Sequence, residues 1–317
     1  MTAEERRKLT STISKLGIAL SFNTKASYRW AVEKIWKGLE FCMENQHPDA
    51  VFIATHLDEI KAWVDNYALG RPKVAKIFYS ALMMFRPVFM DPLFNSLSCK
   101  ISELNKDDKQ NEEKQEWTPA QEKIKLPWSD VILRRNNLEK ACQPIWNLRS
   151  GLITPSQWQQ LNDFVLLCLY TMNPPRRREF GEVLLDKPND DDTVGKNWIE
   201  WSEDAKGFFF NVYKTAKTYG LQFIPASPAL TVVIEKWLNI NPSPYLLFNQ
   251  RKGPIGSRGV NRSLERIFNT KGMGVNMLRH TFISDEVLKG MPFLDDLNIM
   301  AKSMGHSVQE ALLYKKH

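Results

Sequence analysis

Asn276-Met277-Leu278-Arg279-His280-Thr281-Phe282, then Met304-Gly305-His306-Ser307, then Tyr314, is the stretch on which the reading of this 317-residue sequence turns. Tyr314 is the single tyrosine downstream of Arg279. Positions three apart are neighbours on a 3.6-residue turn, so Asn276 and Arg279 are predicted to share a helix face. A second helix is predicted from about Phe293 and is stopped by Gly305, since glycine tolerates the left-handed position that ends helices. Ser307 and Glu310 have the reciprocal capping-box spacing for a last short helix. His306 then falls at a helix junction, with Tyr314 about two turns further along.

Working outward, 43 Lys and Arg stand against 36 Asp and Glu, a formal net charge of +7. That excess favours a polyanionic partner over an acidic substrate. The length suggests about two domains, each able to bury a core. Cys42, Cys99, Cys142 and Cys168 are scattered, without the paired spacing of a zinc site, and fit a reducing, intracellular setting. The opening Met-Thr-Ala-Glu-Glu-Arg-Arg-Lys lacks the apolar run of a signal peptide, and no stretch reaches the length of a membrane span. A soluble protein with no membrane partner is expected.

Residues 1–104 read as a helical domain. Asn23 or Thr24 is placed to cap a helix carrying Tyr28, Ala31, Ile35 and Trp36, a second begins near Asp58, and a third covers Ala75 to Phe85. Its polar faces carry Lys25, Arg29, Lys34 and Lys73, which suit either solvent or a phosphate backbone. From Asn105 the chain becomes strongly charged with almost nothing apolar, so 105–130 reads as a boundary, either a flexible linker or a solvated helix. The remaining domain, 131–317, is expected to be mainly helical with a small antiparallel sheet, making the whole chain α+β.

In that second domain Thr154-Pro155-Ser156-Gln157 gives a capped helix start, and the helix ends at Asn173-Pro174-Pro175. Arg176-Arg177-Arg178 then open the next helix, against the positive end of its macrodipole, which fits either an anion nearby or a basic surface step paired with Glu179 and Glu182. Residues 198–201, 208–213 and 221–224 are short, aromatic and branched, as strands are, and the turn between the last two carries Lys214 and Lys217. After a helix over Leu230 to Leu238 comes a Gly-rich turn with Arg251, Lys252 and Arg258, and Ser257 is placed to cap a helix reaching Phe268, from which Arg262 and Arg266 project four apart; such basic residues suit backbone contact.

The order Leu-Arg-His-Thr-Phe, Met-Gly-His-Ser and a near-terminal Tyr resembles the second half of the active site of the tyrosine recombinases, the phage integrase family. The resemblance asks for an arginine at a helix start and a lysine in a hairpin, and both types stand upstream. The family pattern of an acidic residue three positions after the first arginine selects Arg176 with Glu179 and Phe180, with Arg177 and Arg178 as alternatives of register. The usual lysine-to-proline distance selects Lys217, with Lys214 in reserve. The resemblance implies a helical core-binding domain that closes with the catalytic one round double-stranded DNA, and a homotetramer on that DNA.

It also implies roles. Arg176 and Arg279 would hold the non-bridging oxygens of the scissile phosphate, and Tyr314 would attack to give a 3′-phosphotyrosine. Lys217 would protonate the departing 5′-oxygen, and His306 would hydrogen-bond the phosphate. No cofactor and no metal is called for. Two positions depart from the family: Asn276 replaces the usual histidine and cannot exchange protons near neutral pH, and Tyr314 follows His306 by eight residues, one fewer than is common. Acid-base duty would then pass to His280 or to water. The function implied is DNA recombination or integration by a mobile element or virus, located with the DNA, in the nucleus for a eukaryotic host. A DNA-binding protein that has lost cleavage and a relaxing topoisomerase of the same chemistry are the alternatives.

Overall fold

In the computed structural model the chain forms two compact units, Met1–Lys114 and Gln115–His317. The structure describes all residues except 1–2, 18–19, 42–47, 86–91, 115, 176–177, 190–192, 194, 288–293, 306 and 309–317.

The first unit is helical: α1 (Ala3–Leu16), α2 (Phe22–Gly38), α3 (Ala50–Thr55), α4 (Leu57–Tyr67), α5 (Pro72–Met83) and α6 (Pro92–Glu113). Its core gathers Ile35, Trp36, Ile60, Val64, Phe78 and Leu82 from the inner stripes of α2, α4 and α5. The cap of α2 is Ser21, whose hydroxyl accepts the Thr24 N–H at 3.2 Å, and not Asn23 or Thr24. Ser21 has the extended backbone a cap requires, so the two later polar residues fall inside the first turn. Tyr79 ties α5 to α4 by donating to the Asp65 carboxylate at 2.6 Å, and burial together with that carboxylate pushes its phenol above the ordinary range. The charged stretch from Asn105 is helical as far as Glu113, the polar continuation of a helix whose first half buries Phe94 and Leu97. The division between units therefore falls after Lys114.

The second unit begins with α7 (Pro119–Glu122) and α8 (Trp128–Trp146). The first N–H of α8 donates to the Asp285 carboxylate at 2.8 Å, which satisfies an otherwise orphaned helix-start donor. Next comes α9 (Pro155–Thr171), opened by the Thr154–Gln157 capping box. Every residue of α9 from Leu161 to Tyr170 is buried, so it is the central helix of this core. A 3₁₀ turn, Arg178–Glu182, leads into β1 (Val183–Leu184), β2 (Asn197–Trp201) and β3 (Lys206–Phe210). Then follow α10 (Ala216–Tyr219), β4 (Gln222–Pro225), α11 (Pro228–Leu238), α12 (Gly256–Phe268), α13 (Val275–Phe282), a π-helical turn Ile283–Val287, and α14 (Leu294–Ser303).

The sheet runs β1-β2-β3-β4 and is mixed, because β1 pairs parallel to β2 while the other pairs are antiparallel. This corrects the expected antiparallel sheet: a two-residue strand is too short to show periodicity. One face sends Ile199, Phe208, Phe210 and Ile224 into the core, and the other carries a cross-strand aromatic ladder in which Trp198 stacks on Phe209 and Phe209 meets Phe223 at a tilt. Ser257 is not the cap of α12, since Ile255 precedes the helix and no side chain caps it. Gly256, at φ +66°, makes the turn there instead. The start of α12 receives the 3₁₀ turn at very close range, for a Cβ on Gly181 would lie 2.7 Å from the Gly256 carbonyl oxygen. No helix among the described residues is long and apolar enough to cross a membrane.

Two outcomes follow from this packing. Gly181→Ala must push the 3₁₀ turn off α12 and should lower unfolding free energy by about 1–3 kcal/mol, read by urea denaturation. Burial pushes the Cys142 thiol up to about 12 and raises that of Cys168 further. In native protein at pH 8 a thiol-specific reagent should therefore label exposed Cys99 and spare both, and denaturant should release them. Cys42 lies outside the described residues.

Candidate functional site

Helix α13 starts at Gly274 and turns Val275, Met277, Leu278, Arg279 and Thr281 inward. Arg279 is 0% exposed. Its Nε–H donates to the Pro175 carbonyl at 3.0 Å and its Nη2 to the Met304 carbonyl at 2.6 Å. Taking a guanidinium out of water costs several kcal/mol, and charge-assisted bonds of this kind, worth about 1.5–3 kcal/mol each, offset it.

Each partner is set by local structure. Pro175 closes the Asn173-Pro174-Pro175 stop after α9, and Asn173 pins that stop to the end of β4. Its Nδ2 donates to the Pro225 carbonyl at 2.8 Å and its Oδ1 accepts the Ser227 N–H at 3.0 Å. Met304 lies at the C-terminal end of α14, where Gly305 takes the left-handed conformation at φ +73°, as its sequence position predicts. Carbonyls there lack intrahelical partners and form the negative end of the helix dipole, so a cation is favoured.

The lysine hairpin joins the same cluster, since the Thr215 hydroxyl donates to the Gly305 carbonyl at 3.3 Å. The hairpin is held from behind by Asn197, whose Oδ1 accepts the Asn211 and Val212 N–H groups at 2.9 and 2.8 Å. Tyr213 closes it by donating to the Gly220 carbonyl at 2.6 Å. The turn itself contains α10, with Lys217 on the helix and Lys214 before it, both exposed.

Arg279, the stop before Arg176, the residue before His306 and the turn bearing Lys217 are thus brought together. Arg176, Arg177, His306 and Tyr314, and the Ser307–Glu310 capping box, lie outside the described residues. Arg178 is exposed at the start of the 3₁₀ turn, where the sequence predicts a helix. Glu179 holds a buried Oε2 with no hydrogen-bond partner among the described residues. Asn276 lies three residues from Arg279 but is exposed, so the two straddle the edge of the buried stripe. His280 sits with its ring 6.0 Å from that of Trp117, over which Lys125 also lies.

The basic candidates fall in both units. In the first, Lys25 and Lys34 are half-buried on α2, Arg29 pairs with Glu33 at 3.6 Å, and Lys73 pairs with Asp108 at 3.4 Å. In the second, Arg258 and Arg262 stand four apart on the exposed side of α12. Arg266 is instead committed to the Asp163 carboxylate through bonds of 3.0 and 2.5 Å. Sequence reasoning passed over Asn173, Asn197 and Thr215, whose partners are remote in the chain. The one local signal among them is the asparagine before a double proline.

No protein-family model matches the chain, and no curated protein matches it in sequence. Among solved structures, the crystal structure of XerA recombinase is a weak neighbour at 12% identity and a TM-score of 0.37, covering 98% of this chain and 94% of that one.

The contacts of Arg279 rank the substitutions. Arg279→Lys keeps the charge but loses the fork that spans two carbonyls, and should cost about 2–4 kcal/mol of stability. Thr215→Val should cost under about 1 kcal/mol. Urea titrations that reverse this order would show that Arg279 does not organise the cluster.

Proposed function

We propose that this chain is a DNA strand-breaking and rejoining enzyme of the tyrosine-recombinase type, an integrase or site-specific recombinase. One observation carries the reading. The buried guanidinium of Arg279 binds the residue before Arg176 and the end of the helix before His306, and the second of these also receives the Lys217 hairpin through Thr215. These are the segments that such an active site needs in one place, and the Arg279–Pro175 bond alone spans 104 residues of sequence.

In the proposed reaction the Tyr314 hydroxyl passes its proton to water and its oxygen attacks the scissile phosphorus, forming a 3′-phosphotyrosine as the bond to the 5′-oxygen breaks. Lys217 gives that oxygen its proton, and the product strand leaves with a free 5′-hydroxyl. Arg176 and Arg279 meet the charge on the non-bridging oxygens, because guanidinium stays charged and binds two oxygens at once. The phosphotyrosine keeps the bond energy, so rejoining needs no nucleotide cofactor. Nη2 of Arg279 engages the Met304 carbonyl, and since a guanidinium carries five N–H donors in all, a phosphate oxygen can be met without displacing that carbonyl. Lys25, Arg29, Lys34, Lys73, Lys214, Arg258 and Arg262 are assigned to the duplex backbone, and the working assembly is a tetramer on DNA.

Asn276 favours a second reading, a DNA-binding protein of the same fold without cleavage. The decisive assay uses a duplex bearing the recombination site and a nick that traps the covalent intermediate. Wild type should give a denaturation-resistant adduct and Tyr314→Phe none. Asn276→His should speed adduct formation by roughly ten- to a hundredfold, toward the range of general acid-base catalysis. An adduct that survives Tyr314→Phe refutes the enzyme reading, and salt-sensitive binding with no adduct in wild type selects the second.

A further inference from the structure

A cavity of 770 Å³ opens among the start of α9, the loop that precedes α12, and α12 itself, and none of its lining residues belongs to the Arg279 cluster. Its volume lies within the roughly 300–1,000 Å³ of small-molecule sites. Two aromatic rings form part of its wall, half-buried Trp158 and buried Phe248, with centroids 5.5 Å apart. Three cations line it, Lys252, Arg262 and Arg266, and no lining residue is acidic. Asp163 holds Arg266, so the uncompensated positive charge belongs to exposed Lys252 and Arg262.

The loop bearing Lys252 is built for that position. Lys252 stands at φ +61°, a conformation that favours glycine, although Gly253 is its neighbour. Hydrogen bonds hold it there: its N–H donates to the Asn249 carbonyl at 2.8 Å, and its own carbonyl accepts from the Ser243 hydroxyl at 2.7 Å. The Asn249 side chain accepts the Arg251 and Gly253 N–H groups and donates to the Pro254 carbonyl. Strain retained by so many bonds is a mark of functional loops.

A wall of aromatic rings takes a flat heterocycle, the two cations take an anion, and the exposed amides of Gln159 and Gln250 can pair with ring nitrogens and carbonyls. From this we infer that the cavity binds a nucleoside phosphate, either free or as an unpaired nucleotide of a DNA strand. The site goes beyond the strand-cleavage reading, and Tyr314→Phe protein serves equally well for its test.

The test is calorimetric titration of the full chain with the four deoxynucleoside 5′-monophosphates. Unphosphorylated nucleosides and inorganic phosphate serve as controls, and a second arm compares a duplex having one unpaired terminal nucleotide with a blunt duplex. A monophosphate should bind with a sub-millimolar Kd, or the overhang should bind tighter than the blunt end, with either control at least about tenfold weaker than the monophosphate. Lys252→Gly should lose about tenfold in that affinity while its Tm holds or rises, since glycine accepts the local backbone freely. Phosphate binding as well as the nucleotide, unchanged affinity in Lys252→Gly, or no binding in both arms would each overturn the inference.

Discussion

A buried guanidinium held by two carbonyl oxygens is the constraint on which the second unit depends. Arg279 cannot leave water cheaply, and it does so only because Pro175 and Met304 present their carbonyls where the fork can take both. Each carbonyl is available for a covalent reason. Proline lacks the N–H that would continue α9, and a left-handed Gly305 stops α14 so that its terminal carbonyls are left to outside donors. A lysine could reach one carbonyl but has no planar fork with which to bridge two.

The other elements bring these pieces into range. Helix α9 is buried for ten consecutive residues and so fixes where the chain stops at Asn173. Asn173 then couples the stop to β4, and Asn197 on β2 fixes the turn beyond β3. The sheet has one face in the core, which leaves its hairpin little freedom, and Thr215 links that hairpin to Gly305. A small separate cluster, Ile283, Ala301 and Met304, supports α14 from the π-helical turn after α13. Electrostatics and packing are therefore hard to separate here, as the buried cation of Arg279 also supports the architecture around it.

What the sequence makes legible is what is local. The Thr154–Gln157 box, the double-proline stop, the three longer strands and the Gly305 terminus all follow from spacing and backbone preference, and they stand in the structure. Helix α8 was not readable, because it buries few residues, Trp128, Val131, Cys142 and Ile145, and contains Pro144. Nor was β1, at two residues. The cap of α2 was misread for want of one fact, that Ser21 alone has an extended backbone beside two other capping residues. Tertiary partners were out of reach in principle. Arg262 and Arg266 look alike in sequence and are both exposed, and what sets Arg266 apart is its pairing with Asp163, 103 residues away. The burial of Arg279 belongs with these, for nothing within its own helix distinguishes an inward arginine from an outward one.

The character of Arg279's carbonyl partners bears on how a buried cation can be held without a fixed carboxylate. Positive groups gathered for a polyanion repel one another and must be stabilised meanwhile by something that yields later. A carboxylate brings a full negative charge and would compete with phosphate on nearly equal terms. A helix end brings about half a charge, spread over carbonyl dipoles, which holds the guanidinium in place yet gives way to a stronger anion. Met304 is such a partner for Arg279.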